Sequence, residues 1–427
     1  MRADAARLAQ YIDLEDLAIT TLDSPDAREL ADAMLPIRNA IADVLWGREL
    51  LVAVEIVDHL LFEAVKATSG TPVVQLILEA LRDARVGEAG LLVFGVHSLG
   101  LTTDDLRSLL DRTGVELIDA DWGLAITPQT NSLAATMDFL ERVRADFGVR
   151  GSVRRESIEH WRRSRQARWL ESNPLLVVRV AEAAGTYYGN EALLLTRLQA
   201  ATVFVSMLAA QQPAAGAGGE RASLSTYVIN NQQTLDIEHY LVLSPGRAPG
   251  EELAGDCVPI HRARPDLVAM SELRIDLDSG YWANNRHDAG RIARAVRAVY
   301  RAYLQAGFDP KDDSDEARRN RRWFEALVYF QRSFSGRRWM DTTTLATAFE
   351  LLLHNPAKGE TSKRIRAAIR RLAGREGEKH ANAFLRVYLA RNEIVHRGTQ
   401  DRNFDIEDSR RAFVTAFLGH VEDEALA

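Results

Sequence analysis

The spacing of apolar positions changes twice along the chain. In the first stretch, short apolar runs alternate with helical ones. Arg48 to Asp58 (RELLVAVEIVD) has the β-branched density of a buried strand, and Val73 to Asp83 (VVQLILEALRD) has helical spacing. Gly90 to Val96 predicts another strand. Thr102 and Thr103 then read as caps of a helix with Asp104 and Asp105 in its first turn and Leu106, Leu109 and Leu110 on its apolar face. Gly114 closes that helix, and Val115 to Asp119 predicts the next strand. Strand, helix and strand in this order form a βαβ unit, which implies a parallel sheet.

The pattern shifts near residue 150. A helical stretch carries Trp161 and Trp169 among arginines, and a second helix is predicted from Glu191 to Gln211. Pro213 to Glu220, rich in Gly and Ala, reads as a flexible loop, as does Ser244 to Gly250. Alternation at Ser225 to Asn230, His239 to Leu243 and Glu272 to Asp276 predicts strands, grouped as an antiparallel sheet. From about 283 the 3.6-residue period takes over. Helices are predicted over Arg291 to Leu304, from the cap Ser314 through Trp323 and Phe330, and from Asp341 through Leu353. Others cover Thr361 to Ala373, Glu378 to His396 with Gly398 beyond, and Asp405 to Val421. Short turns between helices predict an α bundle. The fold class expected is a multi-domain α+β protein: an α/β domain over 1–150, a mixed α+β region over 151–282, and a helical bundle over 283–427.

Composition narrows the classes. A length of 427 residues suits two to four domains at ~100–200 residues each. The 46% hydrophobic and 26% charged shares are globular and exclude disordered or collagen-like chains. One cysteine, Cys257, excludes an internal disulfide and a cysteine-cluster metal site, and it reads as buried and inert. A net charge of -7 disfavours a globally basic nucleic-acid binder. No membrane span or signal peptide is expected, so the chain reads as cytoplasmic.

Candidate chemistry concentrates near residue 391, in Phe384-Leu-Arg-Val-Tyr-Leu-Ala-Arg-Asn-Glu-Ile-Val-His-Arg-Gly398. Arginine and histidine five apart also occur at Arg155/His160 and Arg375/His380. Only Arg391 is followed directly by an amide side chain and sits late in a long apolar-faced helix. Asn392 and His396 are i,i+4 and share a helix face, whereas Arg391 lies about 140° round from His396 and must reach across. The stretch resembles the signature of HEPN domains, a helical fold that includes many metal-independent ribonucleases. Thr344 to His354 and Ser362 to Ala373 resemble the preceding helices of ApeA-like members, so the likeness covers about residues 290–425.

That resemblance implies an endoribonuclease that needs no cofactor. RNA is cut without a metal when its own 2′-OH attacks the adjacent phosphate. His396 would serve as general acid or base and Arg391 as the cation for the phosphorane, with Asn392 holding the orientation. Glu350, on an apolar helix face, would orient Arg391 by the same resemblance, or else is an ordinary exposed glutamate. The family's pairing of two such helices across a homodimer, and its bacterial anti-phage or toxin-like roles, are implied with it. The basic helix bearing Lys363, Arg364, Arg366, Arg370 and Arg371 is a candidate RNA contact, as are Arg318, Arg319, Arg321 and Arg322.

Other readings fit the residues. His396 and Arg397 in a last helical turn complement the helix dipole, Gly398 is a common helix terminator, and Glu393 with Arg397 is an ordinary i,i+4 pair. The bundle then serves as a non-catalytic RNA- or nucleotide-binding and dimerisation module. A third reading places a metal-dependent nuclease in the first domain, where Glu55 and Asp58 stand on a predicted strand without the lysine such sites use. His97, after a strand end, is more often structural. No phosphate-binding glycine loop or nucleophile elbow is present.

Overall fold

The computed structural model describes residues 89–103, 117–119, 123–127, 132–180, 190–213, 222–225, 239–244, 252–259, 272–308, 313–353, 360–399 and 404–425, with a few isolated positions elsewhere. The strand predicted over 48–58, with Glu55 and Asp58, lies outside the described residues.

The described part is mostly helical, with an antiparallel sheet and a C-terminal helical region, an α+β arrangement. Strands β1 (Gly90–Gly95), β3 (Leu117–Asp119), β4 (Leu124–Thr127), β5 (Leu175–Val180), β7 (His239–Ser244) and β8 (Ala254–Pro259) make one sheet in the order β3-β4-β5-β1-β7-β8. Every neighbouring pair in it is antiparallel. This corrects the parallel βαβ expectation. β1 and β3 are separated by β4 and β5, and Thr102 and Thr103 lie at the end of strand β2 (His97–Thr103), while the helix predicted after them lies outside the described residues. The misleading signal is physical: β1 is buried at all six positions, so it shows the unbroken apolar run that parallel strands usually show. The parallel strand pair found is β2 with β9 (Glu272–Asp278), in a small second sheet completed by β6 (Ala222–Ser225).

Helices α1 (Leu133–Asp146), α2 (Arg155–Arg163) and α3 (Trp169–Ser172) accompany the large sheet. The Trp161 indole donates to the Gly255 carbonyl at 2.7 Å, and Ser157 Oγ accepts from Gly255 N at 2.8 Å, tying α2 to β8. Arg162 is buried, and its guanidinium donates to Thr136 Oγ1 and to the Thr130 and Ser132 carbonyls, which fixes the start of α1. Burial lowers the Arg162 pKa, with Glu171 partly offsetting it.

Helix α4 (Asn190–Gln211) joins the sheet to the helical region. Its buried residues, from Leu194 through Leu198, Val203 and Phe204 to Leu208, point all round the axis, as expected of an internal helix. It packs on α6 (Arg286–Phe308), α7 (Asp315–Arg332), α11 (Ile406–Ala425), β5 and β9. The window Leu194–Gln211 is long and apolar enough to cross a membrane, against the expectation that no run is. In the structure 83% of that window is buried inside the protein.

After α5 (Ser279–Asn284) the helical region holds α6, α7, α8 (Arg338–Leu352), α9 (Thr361–Leu372), α10 (Gly377–Arg397) and α11. Ser314 caps α7 by accepting from Ala317 N. Phe330, Phe349, Phe384 and Phe413 interlock at its centre, with ring centroids 4.7 to 5.2 Å apart. Helix α10 starts at Gly377, where a Cβ would stand 2.4 Å from the Arg370 carbonyl oxygen. Gly377→Ala is therefore expected to push α10 off α9 and cost about 1–3 kcal/mol as an overpacking change. A melting curve within one degree of the parent would refute that.

Candidate functional site

Helix α10 presents the motif, and its position is set from behind. Phe384 and Val387 are fully buried, and the Ser409 hydroxyl donates to the Ala383 carbonyl at 3.0 Å. The helix ends at Arg397, where Gly398 takes φ +69° and its N–H bonds the Ile394 carbonyl. That left-handed stop suits glycine because it carries no Cβ.

The structure brings three of the four predicted site residues together. Arg391 and Glu350 are both half-buried, with Arg391 Nη2 3.9 Å from Glu350 Oε2. Arg391 Nη1 donates to Asn392 Oδ1 at 3.3 Å. Glu350 thus stands beside the guanidinium, at ion-pair distance. His396 is exposed in the last turn of α10, i,i+4 from Asn392 and on the same helical face. Within this one chain the imidazole and the guanidinium are not clasped to each other. Leu385, Tyr388 and Leu389 on α10 are only partly buried, so an apolar strip leads up to Asn392 and His396.

The other arginine–histidine pairs take different positions. His380 is 3% exposed, with Nε2 3.2 Å from Glu376 Oε2. Burial, only partly opposed by Glu376, lowers its pKa from the ordinary 6.5. Its neutral form therefore favours the fold: that stability is present above the unfolded pKa and fades as pH falls through the folded one. His380→Gln is expected to flatten the loss of stability between pH 7 and 5, read by denaturant titration at each pH. Equal slopes for parent and variant would count against it.

The basic helix α9 is largely paired within the chain. Lys363 meets Glu360 at 2.6 Å, Arg366 meets Glu378 at 3.8 Å and Asn382 at 3.2 Å, Arg370 forks onto Glu378, and Arg371 pairs with Asp423. Arg370 holds the Glu378 carboxyl below its usual range. Arg364 lies half-buried on the same helix. Of the second cluster, Arg318 pairs with Asp313 and Asp315, and the Arg319 guanidinium lies 5.5 Å from the Trp323 ring centroid. Arg366 and Arg370 thus join α9 to α10 and Arg371 joins it to α11, and a phosphate chain would compete there with Glu378 and Asp423.

Burial pushes the half-buried Cys257 thiol up to about 11, so it stays protonated and unreactive near neutral pH. Sequence reasoning missed two buried ionic groups: Arg162, and Arg410 with Asp341. Their burial comes from partners far along the chain: Thr130, Ser132 and Thr136 for Arg162, and Ser333 and Asp341 for Arg410. Among the described residues no three His, Cys, Asp or Glu side chains gather as a metal site. No protein-family model, no curated protein and no solved structure matches this chain.

Proposed function

We propose that the chain is a metal-independent endoribonuclease of the HEPN type whose working site is completed by a second copy across the α10 face. The observation that carries this reading is the cluster of Arg391 with Glu350 and Asn392 at the end of α10, one turn before an exposed His396. Arginine beside a carboxylate is held in place yet keeps donors for phosphate oxygens, since the guanidinium carries five N–H groups. In the reaction the RNA 2′-oxygen bonds to phosphorus and the bond to the 5′-oxygen breaks, leaving a 2′,3′-cyclic phosphate and a 5′-hydroxyl. One proton leaves the 2′-OH and one reaches the 5′-oxygen. His396 carries one of these transfers, its symmetry mate suits the other, and Arg391 faces the charge on the phosphorane.

The partly exposed strip Leu385, Tyr388 and Leu389 supports pairing of two α10 helices, because it offers apolar area next to the catalytic groups. A role as an anti-phage or toxin-like effector, with the sheet region as sensor or restraint, follows from the resemblance and rests on it. The test is incubation of purified protein with mixed RNA in EDTA beside His396→Ala. Cleavage by the parent that the variant lacks supports the enzyme. Binding by both without cleavage supports a non-catalytic RNA-binding module. Magnesium-dependent activity untouched by the variant points to the first domain.

A further inference from the structure

Two large hydrophobic side chains stand out of the surface among the described residues: Trp339, 54% exposed, and Val395, 56% exposed. Trp339 stands in the first turn of α8, and Glu350, at the other end of the same helix, lies 3.9 Å from Arg391.

Trp339 is directly preceded by two cations, Arg337 and Arg338, both exposed. Asp341, in the same turn, is buried against Arg410. Along α8 the residues Trp339, Thr343, Thr347 and Glu350 lie on one face, and Glu350 is the carboxylate that meets Arg391. By the ~1.5 Å rise per residue, Trp339 stands about 16 Å along the axis from it. The Thr343 and Thr347 hydroxyls donate back to carbonyls of their own helix, so this stripe shows methyl groups between the indole and the ion pair.

We infer that Trp339, with Arg337 and Arg338, is a stacking platform for an unpaired base of an RNA strand whose backbone runs toward Arg391 and His396. The inference rests on the ribonuclease reading for its ligand class and extends it to single-stranded substrate. An exposed indole flanked by arginines is the chemistry that holds single strands, because every base has a face to stack and every linkage a phosphate to pair. A second copy of the chain fits the patch less well, since a two-fold contact there would set Arg337 and Arg338 against their own copies.

The test uses the full chain carrying His396→Ala, so that bound RNA survives. It measures anisotropy of a short, unstructured, fluorescein-labelled RNA and of the same strand annealed to its complement. Adding Trp339→Ala is expected to weaken single-strand binding about five- to a hundredfold and duplex binding little, while Trp339→Phe stays within about threefold of the parent. Arg337→Ala is expected to reduce the slope of log affinity against log salt by about 0.7. Trp339 is exposed, so its loss should leave the melting temperature in place. Equal single-strand binding by Trp339→Ala and its parent would overturn the platform, as would no binding by either. So would a Trp339→Ala protein that turns from dimer to monomer in sedimentation with RNA affinity kept. A wild type that binds without cutting would sink the nuclease and leave the platform standing.

Discussion

His396→Ala is expected to lower the EDTA-resistant rate of RNA cleavage by about 10²–10⁴-fold, the range removed with a general acid–base group. Because His396 is exposed in the last turn of α10 and packs against nothing in the core, the variant should fold and melt as the parent does. Arg391→Lys is the sharper companion. It keeps the charge and can still approach Glu350, but it loses the planar fork that spans two phosphate oxygens. Its rate should fall nearly as far as that of Arg391→Ala, and RNA affinity should fall much less than rate, since stabilisation of the phosphorane is lost specifically in the transition state. The products separate this chemistry from metal-dependent hydrolysis: attack by the 2′-oxygen leaves a cyclic phosphate, which resists ligation until opened. Cleavage that survives His396→Ala at the parent's rate, or products carrying a 5′-phosphate, would remove the α10 site from the reaction.

How far this site was legible depends on how local each signal is. The helical third announces itself through a 3.6-residue period, a serine cap at Ser314 and a glycine stop at Gly398, all encoded within a few residues of where they act. Glu350 was legible only in part: a carboxylate among Phe349, Leu351 and Leu352 fits a partnered acid or a plain exposed one, the resemblance named Arg391, and the structure sets the two 3.9 Å apart. The sheet was not legible. β5 is a six-residue strand that pairs with β1 from some eighty positions away, and no local pattern says whether such a pair runs parallel or antiparallel. Full burial of β1 removed the alternation that would have marked an antiparallel strand. Asp341 read as the start of a helix, whereas α8 begins at Arg338 and Asp341 stands within its first turn. Its structural weight comes from Arg410, 69 residues on, and from Ser335 in the turn before α8.

That buried group carries the largest expected effect on stability. Arg410 and Asp341 are 6% and 5% exposed, with Nη2 3.4 Å from Oδ2. Arg410 also donates to the Ser333 carbonyl, pairs with Glu407, and lies 4.0 Å from the centroid of the Phe334 ring. Asp341 Oδ1 accepts from Ser335 N at 2.9 Å and Oγ at 2.7 Å. One guanidinium thus fastens the end of α7, the start of α8 and the start of α11, the elements whose phenylalanines back the motif helix. Arg410→Ala leaves a buried carboxylate short of its cation and opens the space beside Phe334, and about 3–5 kcal/mol of stability should go with it. Replacing both residues by leucine should recover much of that, because the uncompensated charge, and not the missing attraction, is the larger loss. Burial holds the Asp341 carboxyl above its ordinary 3.8 despite Ser335 and Arg410. A raised folded pKa means that the protonated acid favours the fold: its contribution is present at low pH and lost as pH rises through the folded value. Without Arg410 that pKa rises further, so the deficit of Arg410→Ala should be largest near neutral pH and narrow toward pH 5. Denaturant titrations at the two pH values read both quantities. A deficit under about 1 kcal/mol at pH 7, or one that widens on acidification, would show that the three helices are held without this pair.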